Sequence, residues 1–137
     1  MRVIKFLIVF FILAGVTFAQ NAEEKKSVYR ATIDKDGIQK IEVLGGGYFY
    51  NPNYIIVKKD IPVELIVKKE TGIVPHNIVI KQPEVGMDIR ESMSTNQKVI
   101  KFTPNKTGKY PFYCDKKLLF FKNQREKGME GIIEVIE

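Results

Sequence analysis

Histidine and cysteine are nearly absent: the 137 residues contain one of each, His76 and Cys114. A single cysteine excludes an internal disulfide, which leaves an inert buried thiol, an intermolecular link, or a reactive or metal-binding thiolate. A single histidine excludes a His pair, and no Ser/His/Asp set accompanies it, so catalysis by proton transfer or nucleophilic attack lacks its usual base. A phosphate-binding loop is missing too, because Gly45-Gly46-Gly47 is not followed by a helical pattern. The chain is therefore expected not to be an enzyme. Helical periodicity, internal repeats and low-complexity linkers are also lacking, which leaves one compact domain built from strands.

The long apolar run is confined to the N-terminus. Residues 1–19, MRVIKFLIVFFILAGVTFA, combine a basic start at Arg2 and Lys5, an apolar middle and a small-residue end. That is the anatomy of a secretory signal peptide cleaved after Ala19, and it places the protein in the periplasm or otherwise outside the cytoplasm. The apolar stretch falls short of the roughly 20 residues needed to span a bilayer. A retained anchor helix is the alternative, and an uncleaved signal would be the one route to a membrane. Cleavage removes two cations and no acid, so the formal charge of +6 becomes +4. Residues 20–26 read as a flexible polar leader and residues 27–137 as the domain. Its lysines come in pairs, such as Lys58-Lys59 and Lys68-Lys69, at the ends of strand-like runs. Such pairs protect strand edges, or form a docking face for an acidic partner or surface. They make no basic stripe, which argues against a nucleic-acid partner.

Strand signals recur along the rest of the chain. SVYRATID and IQKIEVLGG flank Asp36-Gly37, a strong hairpin turn signal. An alternating run at 54–57 follows, then IPVELIVKKETG, with Val63, Leu65 and Val67 on one face. HNIVI, KVIKFTP, GKYPFYC and EGIIEVIE complete seven or eight short strands, the pattern of an all-β sandwich with antiparallel or mixed sheets. Only DKKLLFFKNQREKG is ambiguous, with room for a short helical turn.

Three side chains of metal-ligating type stand at the ends of these segments or just beside them. His76 lies in VPHNIVI, Cys114 ends GKYPFYC, and Met129 lies in GMEG. A thiolate, an imidazole and a thioether converging from separate strands make most of a mononuclear type 1 copper set, which normally has a second imidazole. Alternation places Tyr110, Phe112 and Cys114 on one side of their strand. Gly128 allows close backbone approach beside Met129, and Leu118 to Phe121 are expected to wall off the site. Met87 and Met93 read as loop or core methionines, with extra Cu(I) thioethers as the alternative. The plainer readings are a satisfied polar His76 and a Cys114 that is a small core residue.

This layout resembles the cupredoxins, small Greek-key β-sandwiches that bind one copper at one end. The histidine after an apolar turn, the strand Thr107-Gly108-Lys109-Tyr110-Pro111-Phe112-Tyr113-Cys114, and the ending Gln124-Arg125-Glu126-Lys127-Gly128-Met129-Glu130-Gly131 carry the resemblance. The last looks like the family's His-x-x-x-Gly-Met-x-Gly, with Gln124 where the second histidine would stand. The loop before it, Asp115 to Asn123, holds nine residues and is longer than is usual for the family. The resemblance implies one copper ion, Cu(I)/Cu(II), held by His76, Cys114 and Met129. Gln124 is a fourth ligand or a surface residue. The implied role is electron transfer through a variant type 1 site, in contact with a redox or copper-transfer protein. A periplasmic Cu(I) carrier and a metal-free binding module are the alternatives, and zinc is a further occupant for such a site.

Overall fold

The computed structural model describes residues 26–119 and 121–137. The expected signal peptide and almost all of the leader lie outside them. Ten strands form: β1 (Val28–Arg30), β2 (Gln39–Gly46), β3 (Phe49–Asn51), β4 (Tyr54–Lys58), β5 (Val63–Lys69), β6 (His76–Gln82), β7 (Met87–Met93), β8 (Lys98–Phe102), β9 (Gly108–Tyr113) and β10 (Glu130–Ile136). One sheet has the order β1-β4-β10-β9-β6-β7 and the other β3-β2-β5-β8. The chain passes back and forth between the sheets, giving the expected Greek-key sandwich.

Period-two alternation makes the core. In β2, Ile41 and Val43 point inward while Lys40 and Glu42 face solvent, and in β5 the inward set is Val63, Leu65 and Val67. Ile55, Val57, Ile78, Ile80, Phe112, Ile133 and Val135 meet them from the other sheet. Each fully buried aliphatic side chain of this kind stabilises the fold by roughly 1.5–3 kcal/mol.

The strand count exceeds the expected seven or eight through one short piece and one longer strand. β3 has three residues, and β7 occupies a segment expected to hold loop or core methionines. Met87 and Met93 are core residues at the two ends of β7. The Asp36-Gly37 turn forms, with Asp34 Oδ1 accepting from the N–H groups of Asp36 (2.8 Å) and Ile38 (3.1 Å). The expected hairpin around it does not. β1 pairs in parallel with β4, in register Val28↔Tyr54, so only the bridge Ile33↔Gln39 remains of it.

Gln39 shows how this core treats a buried polar side chain. Its amide donates to the carbonyls of Lys58 (3.0 Å) and Ile61 (3.1 Å) and accepts from the Lys58 N–H (2.7 Å). Fully satisfied, it stitches β2 to the β4–β5 connection, as buried polar groups require.

Candidate metal centre

His76 opens β6 and is buried at 6% exposure. The turn before it is held by Lys69 Nζ, which donates to the Gly72 carbonyl at 2.7 Å. Burial, and then the Lys69 charge, push the imidazole below its ordinary pKa. At neutral pH it is therefore uncharged, with one ring nitrogen free to act as a lone-pair donor. Nδ1 is buried and has no hydrogen-bond partner.

Cys114 follows β9 directly and is fully buried. Its N–H donates to the Met129 carbonyl at 3.1 Å, extending the β9–β10 ladder by one step. Its Sγ accepts the backbone N–H of Asn77 at 3.4 Å. Burial pushes the thiol pKa up, and the N–H groups of Asn77 and Lys116 only partly offset this. The resting group is a thiol, the form that must lose its proton before it can act as a metal ligand.

The segment between Cys114 and β10 makes no helix among its described residues. Its turns are short i→i+3 closures: Phe121 N–H to Leu118 O (3.1 Å), Lys127 N–H to Gln124 O (3.2 Å) and Gly128 N–H to Arg125 O (2.9 Å). Gly128 sits at φ +95°, a conformation that a side chain strains. That turn brings the Met129 N–H back to the Gln124 carbonyl at 2.9 Å, while the Gln124 N–H donates to Lys116 O at 2.8 Å. Gln124 is thereby drawn inside, to 2% exposure, and its Oε1 is buried without a partner. Gln124 is thus not a surface residue. Met129 beside it is fully buried.

The sequence reading missed Asn77. Its side chain donates Nδ2–H to Asp115 Oδ1 (2.9 Å) and accepts the Asp115 N–H on Oδ1 (3.1 Å), while Tyr50 donates its hydroxyl to the Asn77 carbonyl. Arg90 grips the same Asp115 with both guanidinium nitrogens, at 3.0 and 2.7 Å, which holds that carboxyl below the usual carboxylate range. The residue after His76 and the residue after Cys114 are therefore stapled together. An asparagine inside the apolar run HNIVI was the available signal, since a buried amide there needs a partner.

Of the expected wall over the site, Phe120 lies outside the described residues, and the others do not build it as anticipated. Leu119 and Phe121 are 73% and 61% exposed, and Leu118 is half-buried. Instead, a surface cleft of about 250 Å³ opens above Gln124 between Tyr48, Val74, Leu118, Phe121 and Lys127. Lys127 lies over the rings of Tyr48 and Phe121, at 4.5 and 5.4 Å from their centroids, and donates to the Tyr48 hydroxyl at 2.9 Å. Ile73, next to Val74 in the chain, is 90% exposed.

Among the described residues no group of three or more His, Cys, Asp or Glu side chains gathers at one point. The donors here are of another kind: a thiol, a thioether, an imidazole nitrogen and an amide oxygen. The latter two are the buried side-chain polar atoms without a partner among the described residues. The amide oxygen offers lone pairs and lacks a proton donor, and a neutral imidazole has one lone pair to give, which suits a cation, while the sulfurs suit a soft one.

The cupredoxin-like domain family matches residues 5–129 of the chain. No curated protein matches it. Among solved structures, the metal binding domain of the Cu(I) exporting P-type ATPase CopA of Streptococcus pneumoniae, solved with Cu(I), is 26% identical with a TM-score of 0.62, over 82% of this chain and 98% of that domain. Reduced auracyanin from Roseiflexus castenholzii is 18% identical with a TM-score of 0.57, over 78% of this chain and 99% of the other. The periplasmic domain of subunit II of cytochrome oxidase (CoxB) from Bradyrhizobium japonicum is 15% identical with a TM-score of 0.54, over 72% and 83%. With two sheets of matching architecture and a family match over most of its length, the chain belongs to the cupredoxin-like domain family.

Proposed function

We propose that this is an exported copper-binding protein that holds Cu(I) between Cys114, His76 and Met129, with Gln124 Oε1 as a weaker fourth donor, and hands it to a protein partner. The observation that carries this reading is the pair of buried, partnerless donor atoms, His76 Nδ1 and Gln124 Oε1, at the end of the sandwich where Cys114 and Met129 are buried. One imidazole and two sulfurs favour the soft, low-coordinate Cu(I) over Cu(II), which prefers a second nitrogen. Bound copper would supply a transferable ion. The chain's own residues would exclude water, hold the thiol in place through Asn77, and leave one approach, the cleft above Gln124, with its apolar rim as the contact face. The 26% identity to a domain crystallised with Cu(I) supports the same reading.

Electron transfer is the second reading, with Gln124 as an oxygen ligand of a variant type 1 site. The Asn77–Asp115 staple favours it, because a frame fixed without the metal resists rearrangement when charge changes. Titration of the mature protein separates the readings. A tight, colourless Cu(I) complex that is lost in Cys114→Ala is the expected result. An intense visible thiolate-to-copper absorption with Cu(II) would instead favour electron transfer. Binding of neither ion would leave a metal-free binding module.

A further inference from the structure

The absent side chain of Gly45, near the end of β2, leaves a space in which two methionines meet. A Cβ placed on this glycine would lie 2.9 Å from Met93 Cε, 3.2 Å from Met93 Sδ and 3.3 Å from Met129 Cε. Gly45 is not among the residues with positive φ, so its backbone tolerates a side chain and the need for glycine is one of space. Met93 ends β7 directly opposite His76 of β6 in the antiparallel register, and it is 5% exposed. Met93, Cys114 and Met129 belong to one continuous buried cluster. A core that needed only filling at this point could be served by a branched aliphatic residue, as it is at Ile41, Val43, Val57 and Leu65. A flexible thioether beside a second thioether, across from an imidazole with an unpartnered nitrogen, offers a donor as well as bulk.

We propose that Met93 is a further sulfur ligand of this centre, and that the missing side chain at Gly45 makes the room in which Met93 and Met129 present their thioethers together. The strong donors become one thiolate, two thioethers and one imidazole, with Gln124 Oε1 still the weaker one, a set that selects Cu(I) against Cu(II) and against zinc. This inference rests on the reading of Cys114 and its neighbours as a Cu(I) site.

Met93→Leu keeps the buried volume, so the urea midpoint of the metal-free protein should hardly move. Its Cu(I) affinity, read by competition with a chromophoric Cu(I) chelator, should fall about tenfold or more. X-ray absorption of the Cu(I)-loaded proteins should show about three sulfur neighbours in the wild type and one fewer in the variant. Gly45→Ala is an independent second variant. The atoms nearest its new methyl group are the ends of the two flexible methionine side chains, so the fold should survive while Cu(I) affinity drops to a similar degree. Unchanged affinity and sulfur count in both variants would overturn the proposal, while loss of binding in Cys114→Ala would leave the underlying Cu(I) reading standing. A wild-type protein that takes up no Cu(I) would overturn both.

Discussion

Asn77 donates its backbone N–H to Cys114 Sγ across 3.4 Å, so the residue after the histidine positions the thiol. The Asn77 side chain adds two hydrogen bonds to Asp115, at 2.9 and 3.1 Å, and is itself buried. Together these bonds set the spacing of β6 and the end of β9 through protein contacts alone.

Asn77→Ala would leave the Asp115 N–H without its acceptor inside the protein. An orphaned buried donor costs about 1–3 kcal/mol, so urea unfolding should show a loss of that order. Local opening around Cys114 should also make its alkylation by iodoacetamide faster than in the wild type. A variant with wild-type stability and alkylation rate would show that the staple is incidental.

Gln39 and Gln124 are both almost fully buried, yet only Gln39 has all its polar atoms satisfied. Gln124→Leu removes the unsatisfied oxygen and should raise the stability of the metal-free protein by about 1 kcal/mol. The same change should weaken Cu(I) binding. Opposite signs in the urea midpoint and in the chelator competition are the expected signature of a site that trades stability for a ligand. A loss on both readouts would instead point to Gln124 as ordinary structural packing.

Alternation in the sequence made β2, β5 and β10 legible, because buried apolar residues such as Ile41, Leu65 and Val135 alternate with charged ones such as Lys40, Glu64 and Glu134. It did not reveal partners. Asp36-Gly37 encodes a local turn, but β1 gains more by joining β4, and nothing local records that choice. The same alternation is present in β7, where Met87 and Ile89 point inward, yet Asp88, Arg90 and Glu91 make the segment read as a charged loop. At the site, the positions of His76 and Cys114 at strand ends were legible from their flanking runs. The burial of Gln124 was not, because it sits among Lys122, Asn123, Arg125 and Glu126. Its inward turn is imposed by the closures around Gly128 rather than by polarity.

Asp115 should contribute a pH-dependent share of stability through Arg90. Its folded pKa is held down, chiefly by the hydrogen bond from Arg90. A depressed carboxyl stabilises the fold above its unfolded pKa, near 4, and loses that contribution as pH falls through the folded value. The Asp115 side chain is about one-third exposed and Arg90 about half, so water screens the ion pair and its contribution is small. Asp115→Asn should keep an acceptor for Asn77 and lose the ion pair. Urea midpoints of the two proteins should differ slightly at pH 7 and converge as pH drops toward 2.5. A gap that stayed constant across that range would assign the effect to packing rather than charge.

Gln124→His tests whether the remaining donors are already set for a conventional type 1 site. Position 124 is buried, its side-chain oxygen has no partner, and the turn through Gly128 fixes its backbone to Met129. An imidazole introduced there would supply the second nitrogen that Cu(II) prefers, while Cys114, His76 and Met129 stay in place. The variant should develop an intense visible thiolate-to-copper absorption on addition of Cu(II), and it should hold Cu(II) more tightly than the wild type does. A folded variant that stays colourless with Cu(II), by contrast, would mean that Cys114 and His76 do not face a common ion. The copper reading of this end of the sandwich would then have to be abandoned.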